Sequence, residues 1–191
     1  MQKKKVLSIT QAAVIAAIYV ILTYIANLFG LANYAIQVRF SEALTILPFF
    51  TPAAIPGLFI GCIISNILTG CMLLDVIFGS LATLIGAVAS YLIGEKLRHS
   101  RASEYLCSLP PIISNTLIVP FVLAYVYRFE GSIPYFMLTV CIGEIISCFV
   151  LGQILLKALK PVSKQIFGAP KDQAVAPESG CLNASDQQSK N

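Results

Sequence analysis

The residues from Ser8 to Phe29 run for 22 positions without a charged side chain. As an α-helix this run is about 33 Å long, enough to cross a hydrocarbon core of about 30 Å. Further apolar runs follow along the chain. Of the 191 residues 57% are hydrophobic and only 12% charged, where a soluble domain carries about twice that charge. The chain therefore reads as an all-α integral membrane protein. The basic start "MQKKK" resembles the n-region of a signal peptide. The apolar run behind it is too long for one, and no small-x-small cleavage pattern follows, so it reads as the first span.

Six helical spans are expected: Ser8–Phe29, about Tyr34–Phe50, about Ala53–Leu68, Met72–Gly94, Leu109–Tyr127 and Ile133–Leu156. They form one membrane domain, residues 1–168. The tail 169–191 is rich in Ser, Asn, Gln, Asp and Pro and is expected to be disordered. The stretch Tyr34–Leu68 is too long for one crossing. Its prolines Pro48, Pro52 and Pro56 divide it. Proline removes a helix hydrogen bond and clashes with the preceding turn, so "FFTPAAIPG" reads as a helix end and a new start, with Thr51 as N-cap and Pro52 at the first helical position.

Charge placement sets the expected orientation. Lys and Arg favour the cytoplasmic side. With an even number of spans and the N-terminus inside, 11 of the 13 basic residues lie inside, and only Arg39 and Arg128 lie outside. A five-span count would place "EKLRHSR" and the basic C-terminal tail outside, against that rule. Both termini are thus expected to be cytoplasmic.

Ionisable groups within spans are costly and are functional candidates. Here they are Arg39, Glu42, Asp75 and Glu144, with the amides Asn66 and Asn115. Arg39, Glu42, Asn66, Asp75 and Glu144 are expected between the outer interface and the midplane. Asn115 is placed nearer the inner face. Arg39 and Glu42 are three apart and read either as a structural ion pair or as ligand contacts. Asp75 reads either as a helix N-cap or as a site residue. Glu144 has no basic residue within a turn, so it needs a proton or a partner from another helix. Aromatic residues near the outer end form an interfacial belt, from which one or two are free to stack on a flat ligand.

Small residues recur four apart: Ala12/Ala16, Ala13/Ala17, Gly57/Gly61 and Gly86/Ser90/Gly94. Such seams allow close helix packing, either within the bundle or against a partner subunit. The six cysteines include no C-x-x-C pair, and with His99 as the single histidine a zinc site is not expected. "NAS" at Asn183 matches a glycosylation acceptor but has no meaning in a cytoplasmic tail. No P-loop, H-E-x-x-H or G-x-S-x-G is present, and no duplication joins the two halves. The residues describe a small polar pocket with no energy source of its own.

The blocks "VRFSEALTILPFFTPAAIPGLFIGC", "LLDVIFGSLATLIGA", "LPPIISNTLIVPFVL" and "CIGEIISCFVLG" resemble the QueT-type queuosine-precursor transporters. These are substrate-binding S components of energy-coupling factor (ECF) transporters. The resemblance covers about Thr10 to Leu159. It implies a six-helix S component with cytoplasmic termini, in a bacterial plasma membrane. It implies an outward-facing site with the segment 30–37 as a lid. The implied ligand is a 7-deazaguanine, queuine or a biosynthetic precursor. The implied partners are a transmembrane coupling subunit and two ATPases, so ATP is used by the partners and no cofactor or nucleic acid is bound by this chain. Ala12, Ala13, Ala16 and Ala17 map to the face that meets the coupling subunit. On this reading Glu144 accepts the N–H donors of the deazaguanine edge, Glu42 or Asp75 takes a substrate amine, and Asn66 reads the carbonyl.

Other functions share these features. They are an S component for another vitamin or base, a stand-alone ion-coupled permease with Glu144 as the coupling carboxylate, a lipid-acting enzyme with Glu42 and Asp75 as acid and base, or a scaffold. No nucleophile or metal set supports the enzyme, and a scaffold leaves Glu144 unexplained.

Overall fold

A computed structural model describes residues 2–30, 38–97, 102–128 and 130–167. Most of the expected lid 30–37, much of the "EKLRHSR" loop and the tail 169–191 lie outside these residues. Among the described residues the fold is all helical. It comprises α1 (Gln2–Leu28), a 3-10 helix (Phe40–Phe49), α2 (Ala54–Leu68), α3 (Leu73–Lys96), α4 (Ala102–Leu106) and α5 (Leu109–Tyr125). After α6 (Ile133–Glu144) come a π-helical segment (Ile145–Leu151), α7 (Gly152–Leu159) and α8 (Ser163–Phe167).

Four helical stretches are long and apolar enough to cross a membrane: Lys5–Leu28, Leu73–Lys96, Ala102–Tyr125 and Ile133–Leu159. They match the expected first, fourth, fifth and sixth spans. Large apolar side chains such as Ile9, Ile21, Leu73, Ile113, Leu138 and Ile154 are exposed around them. That inside-out distribution suits a bilayer as solvent. This is a multi-pass membrane protein.

The expected second and third spans are short. The 3-10 helix has 10 residues, about 20 Å at its larger rise, and α2 has 15 residues, about 22 Å. Neither reaches across a full hydrocarbon core alone. The prolines explain the break. Pro48 sits in the last turn of the 3-10 helix, and the Phe50 and Thr51 N–H groups both bond to the Leu47 carbonyl. The restart falls two residues later than Thr51 and Pro52 suggest. Ala53 is the N-cap of α2 and its N–H donates to Thr51 Oγ1 at 3.3 Å.

A 3-10 helix has three residues per turn, so its side chains form three straight rows. Each row here meets a different neighbour. Leu44 and Leu47 pack with Ile15 and Tyr19 of α1 and Leu58 and Cys62 of α2, while Ser41 accepts from the Thr23 hydroxyl at 2.8 Å. Ile46 and Phe49 pack with Cys107 and Leu156. Glu42 and Thr45 form the polar third row. Residues Ser41 to Pro48 are all buried, which makes this short element the centre of the bundle.

The small residues are mostly used inside the fold. A Cβ on Gly57 would lie 2.7 Å from the Ala12 carbonyl oxygen, and one on Gly61 would lie 3.1 Å from Ala16 Cα. Ala12 and Ala16 therefore face α2, and Ala13 and Ala17 are exposed on a different face of α1. A Cβ on Gly86 would lie 2.8 Å from Pro111 Cα, Ser90 Oγ donates to the Cys107 carbonyl at 2.6 Å, and Gly94 lies against Phe49.

Candidate ligand pocket

The 3-10 helix with its N-cap, α3, α5 and α6 line a small, partly open cavity. Its polar lining is Arg39, Glu42, Asp75, Thr83, Asn115 and Glu144, and its remaining wall is Gly79, Val119 and Val140. Five of the six sequence-derived site residues thus line one pocket. The sixth, Asn66, stands behind it. Its Oδ1 accepts from Arg39 Nη1 at 3.4 Å, and its Nδ2 donates to Cys62 Sγ at 3.5 Å. Asn66 holds the arginine and is not itself in the lining.

Arg39 is the N-cap of the 3-10 helix, with extended backbone, so it does not share a helical face with Glu42. Among the described residues no Arg39–Glu42 ion pair forms; the acid that acts most strongly on Arg39 is Asp75. Asp75 is not an N-cap either. Met72 takes that position, and Asp75 sits in the first turn of α3, 6% exposed. Its Oδ2 accepts from the Tyr127 hydroxyl at 2.8 Å, and the same hydroxyl accepts from the Met72 N–H at 3.3 Å. Partial burial, with the Asp75 carboxylate beside it, holds the Tyr127 phenol protonated well above the ordinary range. Tyr127 thereby ties the end of α5 to the start of α3.

Asn115 lies in the pocket, and its amide interacts with both Glu42 and Glu144. It is about 9 Å along α5 from Leu109, the end expected to be inner. Counted from Tyr125, the other end of α5, it is about 15 Å deep, comparable to Glu144 at about 17 Å from Ile133.

Glu42 and Glu144 are 2% and 7% exposed. The Tyr19 hydroxyl donates a short hydrogen bond to Glu42 Oε1, and Glu42 Oε2 is buried without a partner. Cys148, one turn beyond Glu144, donates its thiol to Glu144 Oε2 at 3.0 Å and to the Glu42 carbonyl at 3.5 Å. The donor atoms of Glu42, Glu144 and Cys148 lie within 4.8 Å of one another. The thiol acts there as a hydrogen-bond donor, so it keeps its proton, and the group reads as a hydrogen-bonded cluster.

The sequence does not single out Tyr19, Cys148 or Thr83, and it places Tyr127 only among the aromatics of the outer belt. Tyr19 had one available signal: a phenol in the middle of an apolar span needs a buried partner. Cys148 follows Glu144 by four, but its thiol is indistinguishable by type from packing cysteines such as Cys107. The π-helical segment directly after Glu144 has no sequence signature. Such insertions concentrate at functional sites, and this one is packed on the central 3-10 helix, with the Cys148 thiol 3.5 Å from the Glu42 backbone carbonyl.

Chemically, the pocket sets three carboxyl groups and one guanidinium around a small space with an apolar wall. It can orient a small polar molecule with several N–H donors. No solved structure matches the chain. A protein of Lactococcus lactis subsp. cremoris (strain MG1363) named queuosine precursor transporter QueT is 30% identical over 169 residues, which is 85% of this chain and 98% of that protein. The family model described as QueT transporter matches residues 9–161, which contain every pocket residue described above, and this chain belongs to that family.

Proposed function

We propose that the chain is the substrate-binding S component of an ECF importer and that it takes up a 7-deazaguanine precursor or salvage base of queuosine. The observation that carries this reading is the convergence of Arg39, Glu42, Asp75, Asn115 and Glu144 on one buried pocket in a chain without a nucleotide-binding motif. A deazaguanine presents adjacent N–H donors on its pyrimidinone edge, and a carboxylate accepts both in a charge-assisted pair. Glu144, deepest on α6, takes that edge. Glu42 or Asp75 receives a substrate amine. Asn66 acts through Arg39, which it holds. Val119, Val140 and Gly79 supply the apolar wall for the flat ring.

Energy then comes from outside the chain, from two ATPases acting through a membrane coupling subunit. The exposed Ala13 and Ala17 face of α1 is the contact offered to that subunit, because Ala12 and Ala16 are occupied by α2. The pocket mouth faces outward, both termini are cytoplasmic, and the membrane is a bacterial plasma membrane. The test is uptake of labelled queuine and its base precursors by cells expressing the chain with and without an ECF coupling module. Uptake that needs the module and ATP supports the S component. Uptake by the chain alone in ATP-free vesicles identifies a stand-alone permease instead.

A further inference from the structure

Glu42 and Glu144 come from different helices and meet in a buried cluster, and among the described residues neither makes an ion pair. Arg39 lines the same pocket, donates to Asn66, and its charge is shared among Asp75, Glu42 and Glu144. Tyr19 on α1 donates to Glu42, Asn115 on α5 interacts with both acids, and Cys148 donates to Glu144. Cys62 on α2 bonds with Thr83 on α3 and brings no positive charge. These neighbours are neutral donors. They stabilise one carboxylate well and two poorly, because like charges this close in a low-dielectric site cannot both remain ionised. Glu42 Oε2 is the one buried carboxylate oxygen here without a partner. It is the position left for a proton or for a donor on the ligand.

We infer that Glu42 and Glu144 share a single proton, which leaves the pocket with one net negative charge and makes it selective for a ligand carrying one positive charge. The pair and Asp75 each then hold one negative charge against Arg39. A monocationic amine completes neutrality inside the pocket, and a neutral ligand of the same size leaves a buried charge uncompensated. The ligand part of this inference rests on the substrate proposed above; the shared proton does not.

Two measurements on the full purified chain test it. The first is infrared spectroscopy at neutral pH with carbon-13-labelled glutamate carboxyls. One protonated glutamate carboxyl is expected, and it disappears in Glu42→Gln/Glu144→Gln. No protonated band, two bands, or a band that survives in a folded double variant overturns the shared proton. If the double variant does not fold, the labelled parent alone still decides by showing one band or another number. The second compares binding of a 7-deazaguanine with a 7-aminomethyl group to the same ring with a 7-cyano group. The amine is expected to bind at least about tenfold tighter. Equal binding, or tighter binding of the nitrile, overturns the charge selectivity. Binding of neither, with the single infrared band present, supports the shared proton and refutes the proposed substrate.

Discussion

The Tyr19 hydroxyl donates to one oxygen of Glu42 and leaves the other oxygen buried and without a partner. The bond joins α1 to the central 3-10 helix, so it fixes where that second oxygen lies in the pocket. Tyr19 is 1% exposed, and its Cβ is 2.9 Å from where a Cβ on Gly61 would sit. The ring cannot swing away from Glu42 without moving a helix.

Tyr19→Phe keeps that packing and removes the hydroxyl. A hydrogen bond to a charged or shared-proton group is worth about 1.5–3 kcal/mol, so this variant is expected to lose about tenfold or more in ligand affinity and to melt at a lower temperature. Calorimetry and thermal unfolding in detergent check both. Parent-like affinity would remove Tyr19 from the role of positioning Glu42.

Gly61→Val places an isopropyl group where α1 already touches α2. Overpacking of this kind costs about 1–3 kcal/mol, and more where backbone must move, so the yield of folded, monodisperse protein should fall. Ala17→Leu adds a similar bulk on the exposed face of the same helix. It should leave folding and ligand binding unchanged and reduce uptake in the presence of the coupling module. Size-exclusion profiles and uptake assays separate the two effects; equal loss of folding in both would contradict the assignment of the two faces.

The contrast between those faces shows where the sequence was legible and where it was not. Alanines at four-residue spacing were visible in α1, but Ala12/Ala16 and Ala13/Ala17 are equivalent as a pattern. Only the position of Gly57 and Gly61 tells which pair is buried. The four long apolar helices were readable because length and absence of charge are enough to define a span. The 3-10 helix was not. Over ten residues, periods of 3.0 and 3.6 are barely distinguishable, and Pro48 marks its end without stating its type. Arg39, Glu42, Asp75 and Glu144 were found because ionisable groups stand out in apolar runs. Neutral partners such as Tyr19 and Cys148 do not stand out, although they hydrogen-bond to Glu42 and Glu144.

Tyr127→Phe removes the hydroxyl that bridges Asp75 and the Met72 N–H. Because Tyr127 lies at the helix end, the fold should persist. Asp75 should lose its fixed orientation, and a loss of about 1 kcal/mol corresponds to about fivefold weaker ligand binding. Unchanged affinity in a folded variant would show that Asp75 does not touch the ligand or needs no support.

Thiol accessibility tests the packing independently of any ligand. Cys62, Cys107 and Cys148 are buried, and Cys71 and Cys141 are partly accessible. Among the cysteines of the described residues, a small maleimide applied to the folded chain should label Cys71 and Cys141 first, with Cys62, Cys107 and Cys148 reacting only after denaturation. Peptide mass spectrometry reads the order. Early labelling of Cys148 would contradict its place between Glu42 and Glu144.

The most direct test of the account is calorimetric binding of queuine and its base precursors to the purified chain, with Glu144→Gln measured alongside. The account predicts saturable binding of at least one 7-deazaguanine by the parent, weakened by about tenfold or more in the variant. A folded parent that binds none of them, or a variant that binds as tightly as the parent, would contradict it.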